Sequence, residues 1–346
     1  MTQSYSRAWM LPAGCQSTDD LTLTQRPVAQ PGPGEVRIRI AACSINYRDQ
    51  LIARGQYFGG PLTAAGTPLS DGAGVIDAVG EGVASLQPGD KVAGTFFQDW
   101  LSGPPTPMMG DALGAPPAVG MLADHVILPE RGVVPIARSL SLVQAATLPC
   151  AGVTAWNALF CGIRPLQAGA SVLLIGTGGV SVLALQLAKA AGARVIATST
   201  SDAKLDRMRA LGADATINTT EVPDWGRAAA ELAGGGGVDH VVEVGGPGTL
   251  AQSMQAVGFG GEIALIGVLS MAGDTNPMPM MVKGASLRGI FVGSVQMARD
   301  CNAFIDHHGI QPEIGKVFAF EDAKAAYAHQ ASPALFGKVV IAQQEG

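Results

Sequence analysis

Charged residues are scarce in this sequence, and the basic ones form no cluster. Asp, Glu, Lys and Arg make up only 14% of the 346 residues, whereas 47% are hydrophobic. Because soluble domains usually contain about 25% charged residues, this composition excludes an intrinsically disordered chain. The net charge of −6, without a Lys/Arg block, argues against nucleic acid and anionic membranes as partners.

Paired cysteines and an apolar leader segment are also missing. The cysteines are odd in number and never occur as Cys-x-x-Cys, so we expect reduced thiols in a cytoplasmic protein. Residues 165–188 carry no charge and are long enough to span a bilayer. Glycines interrupt this stretch in its middle, which favours a strand, a loop and a helix over a membrane span. The cysteines are Cys15, Cys43, Cys150, Cys161 and Cys301.

Two kinds of chain organisation follow one another, and the length suggests two domains. The first ~130 residues read as short strands, such as 35–41 and 74–79, separated by Gly/Pro turns. From about Ala145 the pattern changes to alternating strands and helices, with unbroken apolar runs such as 171–175. Such runs are typical of strands covered on both faces, so we predict an α/β fold with a doubly wound parallel sheet.

A glycine-rich turn between a strand and a helix predicts a dinucleotide site. Residues 171–189 read SVLLIGTGGVSVLALQLAK, in which Ser181 replaces the third glycine of the usual pattern. The turn allows close approach of a pyrophosphate, and the following helix offers free N–H groups to it. The predicted cofactor-binding residues of this turn are Gly176, Thr177, Gly178, Gly179 and Val180.

The end of the next strand predicts which nicotinamide cofactor binds. Enzymes that prefer NAD place Asp or Glu there, about 20 residues after the glycine turn. Here Ser199 stands near that position, followed by Ser201 and Lys204, with Asp202 between them. Hydroxyl groups and a cation suit a 2′-phosphate, so we predict NADP(H) as cofactor. The alternative is that Lys204 and Arg207 are ordinary solvated helix residues.

The order of these parts resembles the medium-chain dehydrogenase/reductase superfamily over essentially the whole chain. The landmarks are residues 42–49 (ACSINYRD), 72–83 (GAGVIDAVGEGV), 88–92 (PGDKV), 148–159 (LPCAGVTAWNAL) and the glycine turn. The resemblance implies a GroES-like β-barrel catalytic domain over 1–137 and 300–346 and a Rossmann domain over 138–299. It also implies that Thr154 contacts the cofactor and that a homodimer forms through an edge strand at 286–292.

Departures from the zinc-dependent members of that family are equally informative. Asn46 stands where zinc alcohol dehydrogenases carry a catalytic cysteine, and Ser70 stands where they carry a zinc histidine. Cys150 matches the third ligand position, but one thiolate cannot hold a catalytic zinc ion. We therefore predict no metal. Asn46 and Tyr57 instead resemble positions of the zinc-free quinone oxidoreductases, and Tyr57 also resembles a tyrosine of the enoyl thioester reductases.

Without zinc, hydrogen-bond donors must stabilise the charge on the acceptor oxygen. We predict Tyr57 and Asn46 as catalytic residues, with Ser70, Trp100 and Cys150 in the substrate pocket. The predicted function is NADPH-dependent hydride transfer to a quinone or an α,β-unsaturated carbonyl compound. Two alternatives are a zinc-free alcohol dehydrogenase or carbonyl reductase and a non-catalytic NADPH-binding protein. Tyr57 could equally be a packed aromatic residue, and Asn46 could cap a turn.

Overall fold

The computed structural model describes residues 4–267 and 276–343, which form two compact units. The first unit holds the residues up to Val153 together with those from Gly293 onward, and the second holds Thr154–Val292. The predicted divisions at 137/138 and 299/300 differ from these. Residues 138–144 stay with the first unit because the backbone N–H groups of Arg138 and Ser139 donate to Asp306, and Gln144 donates to Gln311.

Strands account for most of the regular structure in the first unit and form the centre of the second. In chain order they are β1 (Tyr5–Met10), β2 (Thr22–Pro27), β3 (Glu35–Ile45), β4 (Asp71–Val79), β5 (Lys91–Gly94), β6 (His125–Pro129), β7 (Val133–Pro135), β8 (Ser171–Leu174), β9 (Arg194–Ser199), β10 (Ala215–Asn218), β11 (Val238–Glu243), β12 (Val257–Leu265), β13 (Ser286–Gly289), β14 (Ile314–Ala319) and β15 (Lys338–Ala342).

The α-helices occur in both units. In chain order they are α1 (Tyr47–Ala53), α2 (Leu142–Ala145), α3 (Val153–Phe160), α4 (Gly179–Ala190), α5 (Asp202–Ala210), α6 (Trp225–Leu232), α7 (Pro247–Ala256), α8 (Met278–Lys283), α9 (Val295–His308) and α10 (Ala323–Gln330). Helix α9, with 14 residues, belongs to the first unit. In the part of the chain that the structure describes, no helix has both the length and the apolar character to cross a membrane.

The first unit is organised around the long strand β3. The order in its main sheet is β14-β15-β3-β4-β5-β7, with β6 also paired to β3. Along β3, the side chains of Val36, Ile38 and Ile40 alternate into the core while the residues between them are less buried. This period of two is the pattern of a half-buried antiparallel strand. The C-terminal strand β15 pairs with β3, so the chain returns to its first unit at its end.

The second unit is the predicted doubly wound parallel sheet. Its strand order is β10-β9-β8-β11-β12-β13, and every pairing in it is parallel. Read from β8 as the first strand, this is the order 3-2-1-4-5-6 of dinucleotide-binding sheets. Val172, Leu173 and Leu174 in β8 are fully buried, as expected for a strand with helices on both faces.

Candidate active site

Asn46 lies at the junction between a strand and a helix in the first unit. It follows the last residue of β3 and precedes α1, with extended backbone at φ −114°. Its backbone N–H donates to Asp49 Oδ2 over 2.7 Å, which satisfies one of the donors at the start of α1. The Asn46 side chain is thereby held at a fixed point while its amide group is free to make other contacts.

Ser70 and Asp71 reach Asn46 because β4 is antiparallel to β3, with Ser44 opposite Asp71. The Asn46 Nδ2 atom donates to Ser70 Oγ over 3.4 Å, at the long end for a hydrogen bond. Ser70 Oγ donates to Asp71 Oδ1 over 2.9 Å, and Ser44 Oγ donates to Asp71 Oδ2 over 3.1 Å. Ser44, Ser70 and Asp71 are fully buried.

Lys338 completes the arrangement from the other end of the sequence. The pairing of β15 with β3 sets Val339 opposite Ile45, which brings Lys338 beside Asn46. Lys338 Nζ donates to Asn46 Oδ1 over 2.5 Å, to the Ile45 carbonyl over 3.0 Å and to Asp71 Oδ2 over 3.3 Å. Its side chain is only 3% exposed. Asn46, Ser70, Asp71 and Lys338 thus form a closed hydrogen-bonded cycle, named here the Asn46 ring.

Cys150 lies within electrostatic reach of this ring, in a π-helical turn formed by Leu148–Gly152. Burial raises the pKa of the Cys150 thiol well above its usual range, and the nearby Asp71 carboxylate raises it further. The thiol therefore stays protonated at neutral pH. Among the residues described, no group of three or more His, Cys, Asp and Glu side chains is arranged to hold a metal ion.

Tyr57 lies in the first unit beside an arginine rather than in the Asn46 ring. The Arg48 guanidinium carbon is 5.0 Å from the centroid of the Tyr57 ring and 4.8 Å from that of Phe96. Arg48 Nη1 donates to the Leu113 carbonyl over 2.6 Å. These contacts fix the ring of Tyr57 by a cation–π interaction, and the aromatic packing considered for Tyr57 is therefore present.

Trp100 is placed differently from the other predicted pocket residues. Its side chain is 5% exposed, and its indole Nε1 donates to the Gly103 carbonyl over 3.0 Å. The ring centroid lies 6.1 Å from that of Phe97. The tryptophan therefore anchors the segment that directly follows it, and no hydrogen bond joins Trp100 to the Asn46 ring within residues 4–267 and 276–343.

The glycine turn in the second unit has the geometry that a pyrophosphate site requires. Gly176 has φ +72°, and Gly178 precedes α4 without a side-chain cap. A Cβ atom added at Gly178 meets nothing within 4 Å, so the helix start is open. Ser181 Oγ donates to the Ile175 carbonyl over 2.7 Å. This hydrogen bond ties α4 to the end of β8 and explains how serine replaces the third glycine.

The predicted 2′-phosphate residues lie at the end of β9, in the turn that follows it and in the first turn of α5. The Ser201 backbone N–H donates to Ser199 Oγ over 3.2 Å, and the Lys204 N–H donates to the Ser201 carbonyl over 3.2 Å. Burial lowers the pKa of the half-buried Lys204 ammonium. The Asp202 carboxylate accepts a hydrogen bond from Asn218 Nδ2 over 2.9 Å.

Thr154, the remaining predicted cofactor residue, is 2% exposed near the start of α3. Lys338 and Asp71 were not among the predicted site residues, although both belong to the Asn46 ring. A lysine that opens an otherwise apolar strand, in the run GKVVI, is the signal that could have singled out Lys338.

Comparisons with known proteins agree with this architecture. Residues 32–138 match the family described as alcohol dehydrogenase GroES-like domain, and residues 179–307 match the family described as zinc-binding dehydrogenase. A zinc-type alcohol dehydrogenase-like protein of Schizosaccharomyces pombe is 43% identical over 89% of this chain and 91% of its own length. The quinone oxidoreductase of Rattus norvegicus is 29% identical over 92% of each chain.

The fold is also similar to that of a candidate alcohol dehydrogenase from Sinorhizobium meliloti 1021. That crystal structure has a TM-score of 0.90 and 38% identity, with 99% of this chain and 100% of the other covered. The fold and the site define a two-domain oxidoreductase with a GroES-like unit and a Rossmann unit. The chain belongs to the medium-chain dehydrogenase/reductase superfamily.

Proposed function

We propose that this protein is a zinc-independent, NADPH-dependent reductase of quinones or α,β-unsaturated carbonyl compounds. The Asn46 ring is the observation that carries the proposal. It supplies an amide N–H donor at the position where zinc-dependent relatives are expected to hold the metal. The similarity to a quinone oxidoreductase over 92% of the chain supports the same substrate class.

The groups around Asn46 do not fit a zinc ion. A catalytic zinc site uses about three protein ligands, usually imidazole, thiolate or carboxylate groups. Asn46 Oδ1 instead accepts a hydrogen bond from the Lys338 ammonium, and a carboxamide and a hydroxyl stand at Asn46 and Ser70, leaving Cys150 as the one thiolate-forming residue among the three matched positions. A divalent cation at this point would be repelled by the ammonium. We therefore propose that turnover does not depend on zinc.

Hydrogen-bond donors must then stabilise the negative charge on the acceptor oxygen. Asn46 Nδ2 has two N–H bonds, of which Ser70 accepts at most one, so one remains for an oxyanion. We assign Tyr57 Oη as the proton donor to the reduced acceptor. A quinone or an enone needs less stabilisation than an isolated ketone, because its negative charge spreads over a conjugated system. Ser70, Cys150 and Trp100 remain the predicted pocket residues.

Residues of the second unit support NADPH as the cofactor. The open start of α4 suits the pyrophosphate, and the Ser199, Ser201 and Lys204 side chains suit a 2′-phosphate. When bound, the dihydronicotinamide supplies a hydride. The last residue of β9 is Ser199 and not a carboxylate, which supports NADPH over NADH.

Product analysis with an α,β-unsaturated aldehyde tests the proposed reaction. Purified protein is incubated with the aldehyde and either NADPH or NADH, and the product is identified by mass spectrometry and NMR. We expect the saturated aldehyde, formed faster with NADPH, at a rate that dialysis against a chelator leaves unchanged. An allylic alcohol would instead support the zinc-free alcohol dehydrogenase alternative, which the names of two relatives favour. Tight NADPH binding without turnover of this aldehyde or of quinones would support the non-catalytic alternative.

Substitution of the two assigned donors tests their roles in the same assay. Asn46→Ala removes an oxyanion donor and should lower kcat by about 10²-fold. Tyr57→Phe removes the proton donor and should lower kcat by at least about 10²-fold. The matched control is Tyr47→Phe, because Tyr47 is a 39% exposed tyrosine on α1. Wild-type activity in both donor variants would contradict the assignment.

Cofactor preference is tested with Lys204→Ala. Loss of a charge-assisted contact to the 2′-phosphate should raise KM for NADPH by about tenfold or more and leave KM for NADH unchanged. Arg209→Ala is the control, because it removes the same charge from α5 at a residue that pairs with Asp206. Equal effects of the two substitutions on the KM values for both cofactors would show that Lys204 does not contact the 2′-phosphate of NADPH.

We also propose a homodimer that forms through β13 in a reducing compartment such as the cytoplasm. Strand β13 ends the six-stranded sheet on one side, and Leu287 and Phe291 on or just after it are each 43% exposed. An exposed apolar edge strand is a template for pairing with a second chain. None of the five cysteines, all of which lie in the described part of the chain, forms a disulfide, which supports a reducing environment.

A further inference from the structure

We propose that Lys338 is a positioning residue for catalysis: its ammonium fixes the orientation of the Asn46 amide and strengthens that amide as a donor to the acceptor oxygen. This inference rests on the proposed function and extends it to a residue 292 positions away from Asn46 in the sequence.

The chemistry of lysine decides which way the Asn46 amide points. An ammonium group only donates hydrogen bonds, so the atom of Asn46 that faces it must be the carbonyl oxygen. The 2.5 Å contact from Lys338 Nζ to Asn46 Oδ1 therefore fixes the nitrogen on the opposite side, toward Ser70. A rotated amide would place two N–H groups against a cation and would point an acceptor at the oxyanion.

The three acceptors around Lys338 hold its ammonium in one place. They are the Ile45 carbonyl, Asn46 Oδ1 and Asp71 Oδ2, at 3.0, 2.5 and 3.3 Å. Three acceptors match the three N–H bonds of an ammonium, so none is left for a substrate. Because the side chain is only 3% exposed, Lys338 acts through Asn46 and not by direct contact.

A cation on the carbonyl oxygen also makes the amide a better donor. It draws electron density from the nitrogen toward the oxygen, so the Nδ2–H bonds become more polar, and consecutive hydrogen bonds reinforce one another where water is excluded. Ser70 and Asp71 continue the cycle with hydrogen bonds of 3.4 and 2.9 Å. The hydrogen bonds of the Asn46 ring therefore orient and polarise one N–H group of Asn46, which can donate to the acceptor oxygen without the help of a metal ion.

The test combines Lys338→Met with Asn46→Ala in a double-mutant cycle on the full-length protein. We expect Lys338→Met to lower kcat for an α,β-unsaturated aldehyde by about tenfold or more and to leave the Kd for NADPH, measured by fluorescence, unchanged. In the Asn46→Ala background the same substitution should cause no further loss. The loss should also be larger for the aldehyde than for a quinone, which depends less on an oxyanion donor.

The outcomes separate this inference from the proposed function. Losses that multiply in the double variant, or that are equal for the two acceptors, would overturn the role of Lys338. An active Lys338→Met together with an impaired Asn46→Ala would overturn the inference alone. An active Asn46→Ala would overturn both the inference and the donor role on which it rests. Where Lys338→Met fails to fold, Lys338→Met/Asp71→Asn, which removes both charges of the buried pair, replaces it in the cycle.

Discussion

Asp49 is a buried carboxylate with an unusual environment at the start of α1. Burial raises its pKa from 3.8 to about 6, although the Arg48 guanidinium and the N–H of Asn46 both lower it. Asp49 Oδ1 has no hydrogen-bond partner within residues 4–267 and 276–343. The folded protein therefore holds a proton on Asp49 at a pH where the unfolded chain has already released it.

This pKa gives a testable dependence of stability on pH. Between pH 4 and 6 the folded state binds more protons at Asp49 than the unfolded state, so stability should fall as pH rises through this range. Asp49→Asn keeps an acceptor for the Asn46 N–H and removes the penalty. We expect the variant to gain on the order of 1–3 kcal/mol relative to wild type between pH 4.5 and 7, measured by urea unfolding.

Exposed Asp111 provides the control for that measurement. Asp111→Asn should follow the wild-type pH profile, because its carboxylate lies at the surface. If Asp49→Asn showed the same pH profile as wild type, the buried carboxylate would not be the cause of the pH dependence.

Single residues of the candidate site could be predicted from sequence only where the family pattern marks them. Asn46 and Ser70 stand at recognisable positions, and the structure joins them. Lys338 could not be predicted in the same way, since only the pairing of β15 with β3 brings it to Asn46. The contact is non-local, and no spacing within the sequence encodes it.

At the scale of elements, backbone geometry in the turn between β8 and α4 can be tested against the proposed cofactor binding. Gly178 has φ −78°, which any residue can adopt, and a Cβ atom there meets nothing. Gly178→Ala should therefore fold with an unchanged Tm but bind NADPH at least about tenfold more weakly, because a methyl group would obstruct the close approach of the pyrophosphate. Calorimetric titration and thermal unfolding measure the two effects separately.

Gly176→Ala is the informative contrast in the same turn. Gly176 has φ +72°, where a Cβ atom costs about 1–2 kcal/mol. This variant should lose both stability and NADPH affinity. A Gly178→Ala variant that bound NADPH as tightly as wild type would mean that the phosphates do not approach this turn.

The strands and helices of the second unit could be predicted because their signals are local. Apolar runs, the glycine turn and the alternation of strand and helix gave the elements, and the parallel order was confirmed. The first unit was less predictable, since β3 pairs with β4, β6 and β15 from three separate parts of the sequence. Strand length there depends on partners, and β3 extends to Ile45 where the pattern suggested residues 35–41.

At the scale of the whole molecule, the proposed dimer is tested by placing a charged residue on the edge strand β13. Leu287→Lys should convert the dimer to monomers, because an edge lysine resists pairing with another strand. Sedimentation velocity measures the mass. Val222→Lys is the control, since Val222 is an exposed apolar residue near β10, at the other edge of the same sheet. A monomeric wild-type protein, or a Leu287→Lys variant that remains dimeric, would contradict the proposed interface.

The boundaries between the two units are a feature of the whole molecule. The predicted divisions at 137/138 and 299/300 differ from the limits of the two units. The family resemblance places residues 138–153 in the Rossmann domain, yet α2 and the π-helical turn belong to the first unit. Hydrogen bonds from the backbone N–H groups of Arg138 and Ser139 to Asp306 on α9 hold this segment to the first unit. Contacts between segments more than 160 residues apart have no local sequence signal.

The return of the chain to its first unit has a consequence for biosynthesis. The ribosome synthesises the whole second unit, Thr154–Val292, before it adds the residues of β15. Domains fold as units while the chain emerges, so the second unit can fold while the first unit still lacks its last strand. Lys338 arrives with that last strand. Premature termination a few residues earlier would therefore yield a polypeptide with a complete second unit and without the Lys338 contacts of the Asn46 ring.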